Sequence, residues 1–98
     1  MGLFGTGNKV SGNCFVANKL GLHARPACLF VQKAGEFRSE ILLKSSSSRE
    51  TADGKSLMSV LMLAAVCGSE LTITAEGEDA PEALAALIQL IESKFDEE

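Results

Sequence analysis

The chain is organised around one octapeptide, Gly21-Leu22-His23-Ala24-Arg25-Pro26-Ala27-Cys28, which contains its only histidine. Proline is tolerated in the first turn of a helix, where its missing N–H would have no intrahelical partner. The apolar residues that follow have helical spacing up to a suitable stop at Gly35, and they are Ala27, Phe30, Val31 and Ala34. The spacing therefore predicts a helix that starts near Pro26, with His23 at or just outside its N-terminus.

The start of a helix gives His23 a distinctive electrostatic environment. Unpaired N–H groups there attract anions and disfavour an imidazolium, which leaves a ring nitrogen able to attack. A phosphoryl group on that nitrogen would face the same N–H donors, with Arg25 as a charged clamp. Phosphoryl transfer depends mainly on positioning and on charge neutralisation, and the octapeptide supplies both. The alternative is that His23 is a solvated residue at a helix start, with no chemical role.

Length and composition restrict the class of protein. The 98 residues suffice for one domain with a single modest core, and the net charge of −4 argues against nonspecific nucleic-acid binding or an anionic membrane surface. No apolar run is long enough to span a membrane. Cys14, Cys28 and Cys67 are an odd set without metal-ligand spacing, and without a signal peptide they indicate reduced packing residues. We predict a cytoplasmic protein without membrane insertion, nucleic-acid partner, metal or cofactor.

Hydrophobic patterning divides the chain into the order βαββαβα. Residues 1–12 are rich in glycine and lack periodicity, so we interpret them as a flexible leader and place the domain at residues 13–98. The predicted strands are residues 13–17, 40–45, 49–52 and 69–76, with Cys14 and Val16 pointing inward in the first. We predict an α+β fold: an open-faced β-sandwich, with a four-stranded antiparallel sheet and three helices packed on one face.

The last strand and the last helix have the clearest patterns. Apolar Leu71, Ile73 and Ala75 alternate with polar residues, which predicts one buried and one solvated face. Asp79-Ala80-Pro81-Glu82 resembles a capping-box start. The predicted buried stripe of the helix that follows comprises Leu84, Leu87, Ile88, Ile91 and Phe95.

The second predicted helix is apolar on two sides. It has Ser56 as its N-cap, runs from Leu57 to about Val66 and is closed by Gly68. One side is suited to the core and comprises Val60, Leu63, Ala64 and Cys67. The other side comprises Leu57, Met58, Leu61 and Met62. Because a short helix in a small domain is hard to bury completely, we interpret the second side as an exposed patch for a partner.

Two stretches of the chain resemble the signatures of one family, HPr, the histidine-containing phosphocarrier of the phosphoenolpyruvate-dependent sugar phosphotransferase system. Gly21-Leu22-His23-Ala24-Arg25-Pro26-Ala27 looks like its active-site signature, and Gly54-Lys55-Ser56-Leu57-Met58 is similar to the signature around its regulatory serine. The separation of the two stretches and the order of elements agree with the family over about residues 13–95. Two signatures in register are far more specific than one.

The resemblance implies a role for each matched residue. His23 would be phosphorylated on Nδ1 by enzyme I, with phosphoenolpyruvate upstream, and would pass the phosphoryl group to the A component of a sugar permease. Arg25 would stabilise the phosphoryl group during transfer. Ser56 would be the target of a serine kinase/phosphorylase in lineages that possess one, and the docking surface would include Leu57, Met58 and Leu61. The protein would be a phosphoryl carrier rather than an enzyme, with strand order 1-4-2-3.

Two features leave the partner network open. The segment from Ser45 to Glu50 is slightly longer than the turn common in the family, and the stretch Leu61-Met62-Leu63-Ala64-Ala65 looks closer to nitrogen-related and proteobacterial carriers. One alternative is therefore a carrier of a nitrogen-type or incomplete regulatory phosphotransferase system. Another is a Ser56-dependent binding switch in which His23 has no active role.

Overall fold

The computed structural model describes residues 8–96 and has the predicted α+β architecture. The strands are β1 (Asn8–Phe15), β2 (Glu40–Ser45), β3 (Thr51–Asp53) and β4 (Glu70–Gly77), and they form one antiparallel sheet of order β1-β4-β2-β3. The helices are α1 (Ala24–Ala34), α2 (Leu57–Met62) and α3 (Ala80–Glu92), and a 3-10 turn follows at Lys94–Asp96. The predicted fold class, element order and strand order are confirmed.

The sheet is buried on one face only. In β4, Leu71, Ile73 and Ala75 are fully buried, while the residues between them are partly exposed. Ile41 and Leu43 repeat this alternation in β2. The helices cover the apolar face with side chains that are themselves fully buried, among them Phe30 of α1, Val60 of α2, and Leu87 and Ile91 of α3. The other face is open, which makes the domain an open-faced sandwich.

The first strand begins earlier than predicted. Residues 8–12, which we assigned to a leader, pair with β4 from Asn8 opposite Gly77 to Gly12 opposite Ile73. Gly12 explains the missing periodicity, because it occupies an inward position where a Cβ would lie 2.9 Å from Cδ1 of Ile88. Residues 1–7, the rest of the predicted leader, lie outside the described residues.

The second helix is shorter than predicted and ends at Met62 instead of Val66. Ala64 adopts a left-handed conformation with φ of 52°, which stops the helix without a glycine. Val60 and Leu63 are buried as predicted, but Ala64 and Cys67 are exposed, because the chain has left the helix before it reaches them. The third strand is also displaced, to Thr51–Asp53 from the predicted residues 49–52.

Asp79 is the N-cap residue of α3, but its carboxylate does not cap the helix. Its Oδ1 accepts hydrogen bonds from the N–H and the hydroxyl of Ser39, at 3.0 and 2.6 Å, and its Oδ2 accepts one from the Arg38 N–H at 2.9 Å. The Ser39 hydroxyl, followed by the Arg38 N–H, holds the pKa of Asp79 below its usual value. The predicted capping box is thus replaced by a link between the loop before β2 and the start of α3.

The predicted buried stripe of the last helix is confirmed only in part. Leu87 and Ile91 are fully buried, whereas Leu84 and Ile88 are half-buried and pack against the core. Phe95 is also fully buried, but it lies in the 3-10 turn with a left-handed φ of 56°. A change of chain direction after α3 therefore brings its ring into the core.

Candidate functional site

His23 is the N-cap residue of α1, as the sequence predicts. Its backbone is extended, with φ of −86° and ψ of −169°, and its carbonyl accepts the Ala27 N–H at 3.0 Å as the first bond of the helix. The residue is half-buried, and its Nε2 atom is covered by the protein. The accessible part of the imidazole therefore excludes Nε2.

The first turn of α1 offers two backbone donors next to His23. Pro26 has no N–H, and the Ala27 N–H is bonded to the His23 carbonyl, so the first-turn donors not used within the helix are those of Ala24 and Arg25. No acidic residue lies in this turn, and the Arg25 side chain is exposed. An anion at this end of α1 would meet two N–H groups, the positive end of the helix dipole and a guanidinium.

The loop that leads to His23 is fixed to the segment between α2 and β4. The Leu22 N–H donates to the Ala65 carbonyl at 2.9 Å, and the Val16 N–H donates to the Ser69 carbonyl at 2.9 Å. Gly21 has a φ of +70°, and a Cβ there would lie 2.4 Å from the Ala65 carbonyl oxygen. Only glycine fits both the conformation and the close approach. The position of the histidine therefore depends on this contact between two loops.

Ser56 is the N-cap residue of α2, and this part of the prediction is confirmed. Its Oγ accepts the Ser59 N–H at 3.3 Å, and its carbonyl accepts the Val60 N–H at 3.0 Å. The preceding Lys55 extends in another direction and donates to the Phe37 carbonyl at 2.7 Å. Ser56 itself is half-buried, so its hydroxyl lies at the edge of the protein surface.

Most of the predicted docking residues on α2 are exposed. Met58 is 66% exposed and Leu57 is 39% exposed, in agreement with the sequence prediction. Leu61, which we placed on the same side, is half-buried and packs against the core. Met62 takes the exposed position one turn after Met58.

Two further apolar residues, in the loop before α1 and in the segment after α2, are exposed, and sequence reasoning missed both. Leu20 lies in the loop before His23 and is 75% exposed, and Val66 lies in the segment that holds this loop. A Cβ on Gly21 would lie 2.9 Å from the Val66 Cα, so the two segments are in contact. We group the exposed apolar residues of α2 and of these two segments as the apolar patch; they are Leu20, Leu57, Met58, Met62 and Val66.

Charge is distributed unevenly between this surface and the rest of the chain. All 13 acidic residues lie within residues 36–53 and 70–98. The segments that build the site, residues 16–35 and 54–69, contain lysines and Arg25 but no aspartate or glutamate. These two segments therefore carry a net positive charge, although the whole chain carries a net charge of −4.

Residues 8–96 contain neither a metal-binding cluster nor a membrane-spanning helix. No three histidine, cysteine, aspartate or glutamate side chains of this part come together as a possible metal site. No helix in the same part is both long enough and apolar enough to cross a membrane.

An open-faced sandwich that places its histidine against the first-turn donors of a helix has the architecture of a histidine phosphocarrier. Comparison with known proteins narrows this class. The family PTS-HPr, described as the PTS HPr component phosphorylation site, matches residues 10–93. Phosphocarrier protein HPr of Treponema pallidum is 48% identical over 83 residues, which cover 85% of this chain and 92% of the relative. The chain belongs to the PTS HPr family.

Solved structures and a second group of relatives agree with this assignment. HPr-C-His from Thermoanaerobacter tengcongensis has a TM-score of 0.85 and 43% identity, and the match covers 91% of this chain and 98% of that one. The HPr-like protein Crh of Bacillus subtilis is 42% identical over 76 residues, which cover 78% of this chain and 87% of the relative. The relatives of this chain therefore include proteins named as phosphocarriers and proteins named as HPr-like.

Proposed function

We propose that the protein carries a phosphoryl group on His23, which it accepts from enzyme I and passes to the A component of a sugar permease. The observation that carries this proposal is the position of His23 at the N-cap of α1, beside the N–H groups of Ala24 and Arg25. A ring nitrogen attacks the phosphorus, the new P–N bond forms as the bond to the donor breaks, and the electron pair leaves with the donor. Because imidazole is itself a good leaving group, the phosphohistidine can transfer the phosphoryl group to the next protein.

Nδ1 is the proposed acceptor atom. In-line attack requires the phosphorus to approach within about 3–3.5 Å of the attacking nitrogen. Because protein atoms cover Nε2, a phosphoryl donor cannot come that close to it. The accepted phosphoryl group would face the N–H groups of the first turn, and these donors require no rearrangement. Arg25 would add a planar pair of donors that matches two phosphoryl oxygens.

The apolar patch is the proposed docking surface for both partners. Its exposed side chains are mostly flexible methionine and leucine, and residues 16–35 and 54–69, which contain it, include basic residues but no aspartate or glutamate. A partner with an apolar centre and an acidic rim would fit this surface. A small interface also suits a carrier, which must leave each partner quickly.

Transfer from enzyme I tests the proposed function directly. Incubation with enzyme I and phosphoenolpyruvate should add one acid-labile phosphoryl group to the wild type and none to His23→Ala. Arg25→Lys should be phosphorylated more slowly, because a lysine cannot make the planar two-point contact. Equal phosphorylation of wild type and His23→Ala would refute the proposal, and unchanged transfer rates in Arg25→Lys would remove Arg25 from the mechanism.

Regulation through Ser56 is a second proposed function, and the half-buried position of its hydroxyl at the N-cap of α2, next to the exposed Leu57 and Met58, favours it. A phosphate on Ser56 would meet the N–H groups at the start of α2, so the fold should remain intact. The same dianion would stand next to Leu57 and Met58 and would oppose an apolar or acidic partner surface. An output in a nitrogen-type or incomplete regulatory system would use the same chemistry at His23.

Two matched variants test this switch. Ser56→Ala removes the N-cap and should cost about 1 kcal/mol of stability, without adding charge. Ser56→Asp can keep the cap and adds part of the phosphate charge, so it should accept phosphate from enzyme I markedly more slowly than Ser56→Ala. Equal rates in the two variants would leave Ser56 as a structural cap only.

A further inference from the structure

We propose that Asn18 is a positioning residue for phosphoryl transfer at His23, an inference that rests on the proposed function. Asn18 is completely buried, with 0% of its surface exposed. A carboxamide in such a place is costly unless hydrogen bonds replace those it makes in water. Its Nδ2 donates to the Gly21 carbonyl at 2.7 Å, which links this buried side chain to the histidine loop.

The Gly21 carbonyl connects Asn18 to the histidine. The same oxygen accepts the His23 N–H at 3.0 Å, and a carbonyl has lone pairs for both bonds. The Gly21 N–H donates back to the Asn18 carbonyl at 3.1 Å, which closes the turn. The carboxamide therefore holds the peptide that orients the His23 backbone in the extended conformation of an N-cap.

The turn between Asn18 and Gly21 lies at the protein surface. Lys19 and Leu20, the residues between Asn18 and Gly21, are both exposed. Loss of the Asn18 donor would remove the side-chain bond to the Gly21 carbonyl, while the backbone bonds from Gly21 to Asn18 and from Leu22 to Ala65 would remain. A displacement of the histidine by about 1 Å can lower a transfer rate by roughly 100-fold. Loss of the donor should thus slow the transfer step more than it affects docking.

Two variants remove the donor in different ways. Asn18→Asp keeps the shape of the side chain, and Asn18→Ala removes it. Ile73→Val is the control, because it lowers stability in the fully buried centre of β4, away from the loop. The two Asn18 variants and the control are compared with the wild type at a temperature at which circular dichroism shows that all four proteins are folded. We expect the kcat for phosphorylation by enzyme I to fall about tenfold or more in both Asn18 variants, with KM unchanged and the control equal to wild type.

Each outcome decides between positioning and structure. Wild-type kcat in Asn18→Asp and Asn18→Ala, even with lowered melting temperatures, would overturn the inference, and so would a change confined to KM. A wild type that enzyme I does not phosphorylate would refute the proposed function before any variant is compared. If neither variant folds, NMR of the wild type tests the inference through the Asn18 carboxamide. Slow exchange of the Asn18 carboxamide protons, with coupling to the Gly21 carbonyl, supports the inference, and rapid exchange overturns it.

Discussion

Gly21→Ala tests how the loop before His23 is built. The φ of Gly21 is +70°, a left-handed conformation that costs about 1–2 kcal/mol in a residue with a Cβ. The added Cβ would lie 2.4 Å from the carbonyl oxygen of Ala65, which accepts the Leu22 N–H. Since this oxygen belongs to the backbone, it can yield only by weakening that hydrogen bond, whose net contribution is about 1 kcal/mol. The free energy of unfolding should therefore fall by about 2–3 kcal/mol.

Gly68→Ala is the matched control. Gly68 also has a left-handed φ, of +92°, but a Cβ there would meet no atom within 4 Å. This variant should lose only the conformational part, about 1–2 kcal/mol. Urea denaturation followed by circular dichroism measures both losses, and each kcal/mol should correspond to about 4–8 °C in melting temperature for a domain of this size. Equal losses in the two variants would refute the argument that close contact with Ala65 fixes the histidine loop.

Three further predictions concern the patch and two titrating groups. Met58→Glu should weaken docking to enzyme I, measured as a raised KM, with little loss of stability, whereas Val60→Glu should unfold the domain because it buries an unpaired charge; an unchanged KM would remove Met58 from the patch. Burial, followed by nearby carboxylates, raises the pKa of the Cys14 thiol from 9.0 to about 11. The unfolded chain therefore loses this proton first, and stability should fall by about 2–3 kcal/mol between pH 9 and 11; an equal fall in Cys14→Ala would contradict this. Hydrogen bonds from Ser39 and from the Arg38 N–H lower the pKa of Asp79. The contribution of these bonds to the stability of the fold should therefore be present above pH 3.8 and be lost as the pH falls further. In urea titrations, the unfolding free energy of Asp79→Asn should therefore fall less in acid than that of the wild type. An identical pH profile would count against a stabilising role for the hydrogen bonds of Asp79.

Elements with local sequence patterns could be predicted with little error. The strict alternation of Leu71, Ile73 and Ala75 locates β4 to within one residue at each end. Pro26 and Gly35 similarly bracket α1, since proline favours a first turn and glycine favours a stop. These signals depend on neighbouring residues alone, so no tertiary contact is needed to interpret them.

The errors come from positions where a distant contact decides the local conformation. Gly12 carries no apolar signal, because α3 fills the space that a side chain would need. Ala64 follows α2 with a left-handed φ that alanine does not favour by itself, and the Asp79 carboxylate bonds to Arg38 and Ser39, which are about 40 positions earlier in the chain. None of these partners can be inferred from a pattern within one element.

The candidate site also contains residues that could be predicted from local sequence and residues that could not. His23 and Ser56 could be placed as N-cap residues because the start of a helix has local chemistry. Leu20 and Val66 could not be recognised, since an apolar residue in a loop gives no sign of whether it will be covered. Leu61 is less exposed than Leu57 and Met58, because it also packs against the core.

The most direct test of the account is to locate the phosphoryl group on the protein itself. Protein labelled with 15N is incubated with enzyme I and phosphoenolpyruvate, and long-range 1H–15N spectra of the imidazole are recorded before and after. We expect a single phosphohistidine with phosphorus on Nδ1 of His23, since the protein covers Nε2. A phosphoryl group on Nε2, or on any residue other than His23, would contradict it.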